Sequence, residues 1–91
     1  MTDPHYDLTL FVNGASDRSA RAIADARTMC DAHLGGRHEL AVVDIHVDPG
    51  AALRSQVLAA PTLVKNQPLP VRRIVGDLSD PTKVRQALEL V

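Results

Sequence analysis

Aromatic residues are almost missing from this chain. Tyr6 and Phe11 are the only two among 91 residues, and there is no tryptophan. The core must therefore be assembled from Leu, Val, Ile and Ala, which bury less area per residue than rings do. Such a core carries modest stability, for which self-association is a natural supplement. Cysteine is reduced to Cys30, which excludes an intrachain disulfide, a CxxC redox pair and a cysteine zinc set. Neither sign of charge is in excess: 10 basic and 11 acidic side chains leave −1 with the histidines neutral. A general nucleic-acid binder usually shows a basic excess on one face. Long apolar runs are missing as well, with no signal-like stretch at the N-terminus and no segment of membrane-spanning length. The expectation is a cytoplasmic, soluble protein of one domain over residues 1–91, with no nucleic-acid or membrane partner.

What is present is an ordinary globular composition, 45% apolar. "YDLTLFVNG" alternates and ends on Gly14, a strand followed by a turn. "ASDRSARAIADARTMCDAHLGG" reads as a helix capped by Ser16 or Asp17, with Ile23, Ala26, Cys30 and Leu34 on one apolar stripe. Gly35 and Gly36 stop it. "HELAVVDIHV" packs Leu40, Val42, Val43 and Ile45 into six positions, which suits a central strand covered on both sides. Strand, helix, strand within 45 residues is a βαβ unit with parallel strands. "DPGAALRSQVL" is a turn and then a short helix starting near Asp48 and Pro49.

The second half is less decided, with Pro61, Pro68, Pro70, Gly76 and Pro81 in 21 residues. The preferred reading is two antiparallel strands, 62–65 and 71–75, joined by Asn66 to Pro70. A last helix over roughly 80–90 would be capped by Ser79 or Asp80, with Val84, Ala87, Leu88 and Val91 at helical spacing. "VRQALELV" also alternates tolerably as a strand. The order βαβαββα is the thioredoxin-like plan, a single α/β domain, and "AAPT" adds to it. In that fold the proline before the third strand is commonly cis; the state of Pro61 stays open here.

Chemistry is sparse. Thiol–disulfide exchange needs a cysteine at the start of the first helix, where this chain reads "NGASDRS"; Cys30 lies near the other end, on the apolar stripe. His5, His33, His38 and His46 show no paired metal-ligand spacing. Taken on one strand, His38 and His46 would be about 26 Å apart. Asp44, Asp77, Ser55, Thr62 and Ser79 form no recognisable catalytic set. "NGASDRS" has too few glycines and no lysine for a phosphate loop. No cofactor or metal is implied, and an enzyme is unsupported.

Arg72 and Arg73 remain, with Arg21 and Lys65 as companions. Neighbouring strand residues point to opposite faces, so the pair cannot both be buried comfortably. One reading is a charged edge that blocks unwanted strand pairing. The other is a surface that grips an anionic partner with forked guanidiniums. Spacing leaves the two open.

Taken together, "FVNG…SARAI", "VVDIHVDPG", "VLAAPTLVK" and "LPVRRIVGDLSDPTKV" resemble the KaiB family of the Kai circadian clock, from about Tyr6 to Leu90. The KaiB-like sensor domain of the clock kinase SasA is similar. The resemblance implies a non-catalytic protein with two folds: a ground state, usually tetrameric, with a rearranged C-terminal half, and a thioredoxin-like monomer. The latter binds the first ATPase ring of the KaiC hexamer; the KaiB–KaiC ring then captures KaiA, displaces SasA and drives KaiC towards dephosphorylation. By position, Arg21, Lys65, Arg72 and Arg73 match basic positions of the family and are expected to contact KaiC or a neighbouring subunit of a homo-oligomer. Pro61, Pro68, Pro70 and Gly76 match positions that shape the rearranging half, and Asp77 and Leu78 match its "GDL" turn. Leu69 breaks the familiar proline run, Ala41 stands where a lysine is common, and the acidic tail usual in the family does not follow Val91. These departures suggest a divergent branch, from a system with KaiC and no KaiA, and a role in stress adaptation is the alternative to timekeeping. A freestanding sensor-like adaptor with one fold and a thioredoxin-like redox enzyme are the rival readings.

Overall fold

A computed structural model describes residues 5–90. Its elements run β1 (Tyr6–Val12), α1 (Asp17–His33), β2 (His38–Asp44), α2 (Pro49–Arg54), β3 (Thr62–Gln67), β4 (Arg72–Val75) and α3 (Pro81–Ala87). The sheet order is β2-β1-β3-β4, with β1 and β2 parallel and β3 antiparallel to both β1 and β4. This is the expected βαβαββα order, with the C-terminal half in its thioredoxin-like arrangement.

Alternation in β1 distributes the core. Tyr6, Leu8, Leu10 and Val12 meet Ala22, Ala26, Met29 and Cys30 of α1 and Val84 and Leu88 at α3 on one sheet face. Phe11 and Val64 meet Ala52 and Val57 at α2 on the other. The two aromatic rings thus sit one in each layer, and both are buried. Helix α1 begins where Ser16 Oγ accepts from Ser19 N at 3.1 Å, a cap whose loss costs about 1 kcal/mol. It ends at Leu34, where Gly35 takes φ +56° and donates its N–H to Cys30 O.

Three expectations need correction. The apolar run of β2 does not make a central strand. Because β3 joins β1 from the opposite side, β1 is central and β2 is an edge. The run is shared out instead, Leu40 to the α1 layer and Val43 and Ile45 to the α2 layer, with Val42 37% exposed. Secondly, β3 runs two residues past Lys65. A register shift between Asp7 and Leu8 leaves Asn66 as the extra residue, and its amide donates to Thr9 Oγ1 at 2.9 Å. Thirdly, α3 stops at Ala87. Asp80 caps it, accepting from Thr82 N and Lys83 N, but Leu88 ends it and Glu89 turns to φ +55°. Ala87 is exposed, and Val91 lies outside the described residues.

A candidate protein-contact surface around β4 and the Pro61 cleft

Three of the four prolines of the second half lie at the two ends of the β3–β4 hairpin, and the fourth, Pro81, opens α3. Pro61 is buried just before β3, and Pro68 and Pro70 fall in the connection to β4. The peptide bonds before all three are cis.

Pro61 and Gly76 line a shallow cleft of about 330 Å³ against the first half of α1. Arg18, Arg21, Asp25 and Asp77 supply its charge, two of each sign. Gly76 holds φ +96° and donates its N–H to Pro61 O at 2.9 Å, which fixes the end of β4 against the start of β3. The turn that follows is tied by Asp77, whose carboxylate accepts from Ser79 N at 2.8 Å. Bonds from the Ser79 hydroxyl and N–H hold the Asp77 carboxyl below its ordinary value, and Arg21 and Lys83 add to this at longer range. Arg21 and Asp77, drawn from separate parts of the sequence, thus belong to one cleft.

The other expected basic residues do not join them. Lys65 faces the α1 layer opposite Leu8 and is only 2% exposed, its stem covered by the core. In this arrangement it is not a surface contact. Arg72, its neighbour across β3–β4, pairs with Glu89 at 3.3 Å. Arg73 turns to the α2 side, where Nη1 donates to Gln56 O at 2.9 Å. There it lines a second cleft, of about 180 Å³, with Arg54, Ser55 and Asn66. Arg54, Gln56 and Glu89 were not singled out in the sequence. Gln56 takes φ +57°, which no local pattern announced, and Arg54 reaches β4 only through the packing of α2 on the sheet.

The geometry at Cys30 does not favour thiol redox chemistry. Cys30 is fully buried, and burial, with Asp31 beside it, pushes its thiol up to about 11. His46 is not on β2 but in the turn beyond it, where its ring meets Asn13 Oδ1 and its N–H donates to Asp44 Oδ1. Among the described residues no three His, Cys, Asp or Glu side chains could hold a metal ion, and no helix is long and apolar enough to cross a membrane.

Comparison with known proteins agrees with this geometry. The family model described as the KaiB domain matches residues 9–90. The circadian clock oscillator protein KaiB of Synechococcus elongatus is 42% identical over 86 residues, 94% of this chain and 84% of that protein. Its counterpart from Gloeothece citriformis is 41% identical over 86 residues, covering 94% and 81%. Among solved structures, the N-terminal domain of Synechococcus elongatus SasA superimposes with a TM-score of 0.78 at 22% identity, over 98% of this chain and 88% of that one. Fasciola hepatica thioredoxin gives 0.72 at 19% identity, over 96% and 81%. At these identities the two structures establish a thioredoxin-like fold and nothing finer.

Proposed function

The chain belongs to the KaiB family, and from that membership we propose that it is a non-catalytic, cytoplasmic regulatory protein that binds the KaiC hexamer. It acts as a single domain over residues 1–91, on the first ATPase ring of KaiC, and modulates the KaiC phosphorylation cycle. Where KaiA exists, the resulting ring captures it. The observation that carries this reading is the KaiB match across residues 9–90 of a chain whose first helix opens on Ser16 and Asp17 where an oxidoreductase would place cysteine.

The binding-competent state is the thioredoxin-like one; a second arrangement of the C-terminal half, in a dimer or tetramer, is the free state. Local preference in that half is weak, so contacts with partners decide the outcome. Pro61, Pro68, Pro70, Gly76 and Asp77 sit where the two arrangements diverge. Arg21, Arg72 and Arg73 supply basic contacts, and Lys65 does so once the half rearranges and uncovers it.

The test is binding to purified KaiC by size-exclusion chromatography with light scattering, followed over hours with nucleotide varied. Slow, saturable association supports the reading; no complex with any KaiC tried would end it. A second reading, a sensor or stress-adaptation adaptor with one fold, is favoured by the described residues taking the thioredoxin-like order throughout. It requires a single set of amide resonances at all concentrations, and two slowly exchanging sets would exclude it.

A further inference from the structure

We propose that the open edge of β4 docks an extended segment of a partner protein, and that a carboxylate of that segment, flanked by apolar residues, lodges between Arg54 and Arg73. This deepens the partner-binding reading above and rests on it for the partner being a protein.

The backbone comes first. β4 is the outermost strand. In an antiparallel pair, alternate residues turn both backbone groups to the neighbour and the others turn them away. Gly76 donates to Pro61 O, and the register sets Ile74 opposite Leu63 and Arg72 opposite Lys65. Residues 72, 74 and 76 therefore face β3. Arg73 and Val75 aim their N–H and C=O groups at the open edge, ready for another strand.

The side chains on the α2 side of this edge specify which strand. Val71 is 47% exposed, Val75 is 56% exposed, and Arg73 lies between them. The row reads apolar, cationic, apolar. Directly opposed cross-strand pairs are the unit of sheet stabilisation, so the complementary strand carries an acid between two apolar residues. The cleft at this point holds Arg54 and Arg73, and among the described residues none that lines it is acidic. Neither guanidinium makes an ion pair with a described residue, whereas Arg72 is paired with Glu89. The Arg18–Arg21 cleft already carries Asp25 and Asp77. Arg73 is thus left without an ion pair beside the open edge, and Arg54, whose guanidinium lies over Gly50 near Asp48, borders the same cleft; forked donors there suit a carboxylate.

A second copy of this chain does not fit. Antiparallel pairing of two β4 strands sets Arg73 opposite either the other Arg73, which is destabilising, or Val75, so no residue of β4 supplies the acid. A bare phosphate would use the guanidiniums but leave Val71, Val75 and the edge backbone without partners.

The experiment titrates the isotope-labelled full chain with a capped five-residue peptide holding glutamate between two valines. The same peptide with lysine at the centre and inorganic phosphate run in parallel, each to about 5 mM, since single-strand pairing is weak. The glutamate peptide is expected to shift the Arg73 and Val75 amides saturably, with the lysine peptide weaker by about tenfold or more. The Arg54→Glu/Arg73→Glu protein, checked for an intact spectrum, should reverse that preference. No shift at β4, equal response to both peptides, or the same shifts from phosphate would overturn the proposal. Purified KaiC separates the two readings: wild-type protein that never binds KaiC ends the functional reading and leaves the peptide result standing. KaiC binding shared equally by wild type and the double variant, with no peptide response, ends the edge proposal alone.

Discussion

Arg72 and Arg73 are adjacent in the chain and serve opposite faces of β4: Arg72 reaches Glu89 at 3.3 Å on the α3 side, and Arg73 donates to Gln56 O at 2.9 Å on the α2 side. The first contact joins two half-exposed side chains, each 49% accessible, and such pairs contribute little. Arg72→Ala should therefore lower stability by less than about 1 kcal/mol in urea unfolding. Arg73→Ala should leave stability nearly unchanged and weaken partner binding more than Arg72→Ala does. Equal binding losses from the two would mean that the faces are not distinguished by the partner.

The proposed function makes Gly76 a control point between the observed arrangement and the second one proposed for the C-terminal half. Its φ of +96° belongs to the region that side chains avoid, although a Cβ there would meet nothing within 4 Å. The cost of Gly76→Ala is thus backbone strain, about 1–2 kcal/mol against the thioredoxin-like state. Amide spectra should show that state depopulated relative to the wild type. Unchanged populations would mean that Gly76 is not a control point.

The first half of the fold was legible because local signals and packing agree there. Ser16 caps, the stripe of Ala26, Cys30 and Leu34 is buried, and the glycines end the helix. β2 misled because an apolar run does not say how many neighbours a strand has; Val43 and Ile45 face a layer that a six-residue helix builds. The end of α3 was not readable because Leu88 and Leu90 are both buried, so the apolar pattern runs on after the helix stops. Of the basic residues, their type was readable but their surroundings were not. Burial of Lys65, capture of Arg72 by Glu89 and the nearness of Arg54 to Arg73 are all products of tertiary packing.

The turn after β4 offers a check on the Pro61 cleft. Ser79 is the first cause of the lowered Asp77 carboxyl. Ser79→Ala removes the hydroxyl and keeps the N–H, so the carboxyl should titrate nearer to 3.8 while staying below it. Because its folded value is depressed, Asp77 stabilises the protein above the ordinary carboxylate range and loses that contribution as pH falls through the folded value. A side-chain carboxyl titration by NMR reads the change directly. An identical curve in the variant would show that the serine hydroxyl does not reach Asp77.

Cys30 provides the last test, and it bears on both stability and redox chemistry. The folded thiol is pushed up from 9.0 to about 11, first by burial and then by Asp31. The native state thus keeps a proton that the unfolded chain releases between these values. Stability from this group is complete below about pH 9 and is lost as pH rises through about 11. A change of that size corresponds to about 2–3 kcal/mol. Cys30→Ala should be less stable at neutral pH, because a buried sulfur is lost, yet its stability should fall less steeply between pH 9 and 11. In the wild type, a thiol reagent at pH 8 should label Cys30 only as fast as the protein opens, and at full rate in denaturant. Rapid labelling of the native protein would place an accessible thiolate on the molecule and revive the oxidoreductase reading.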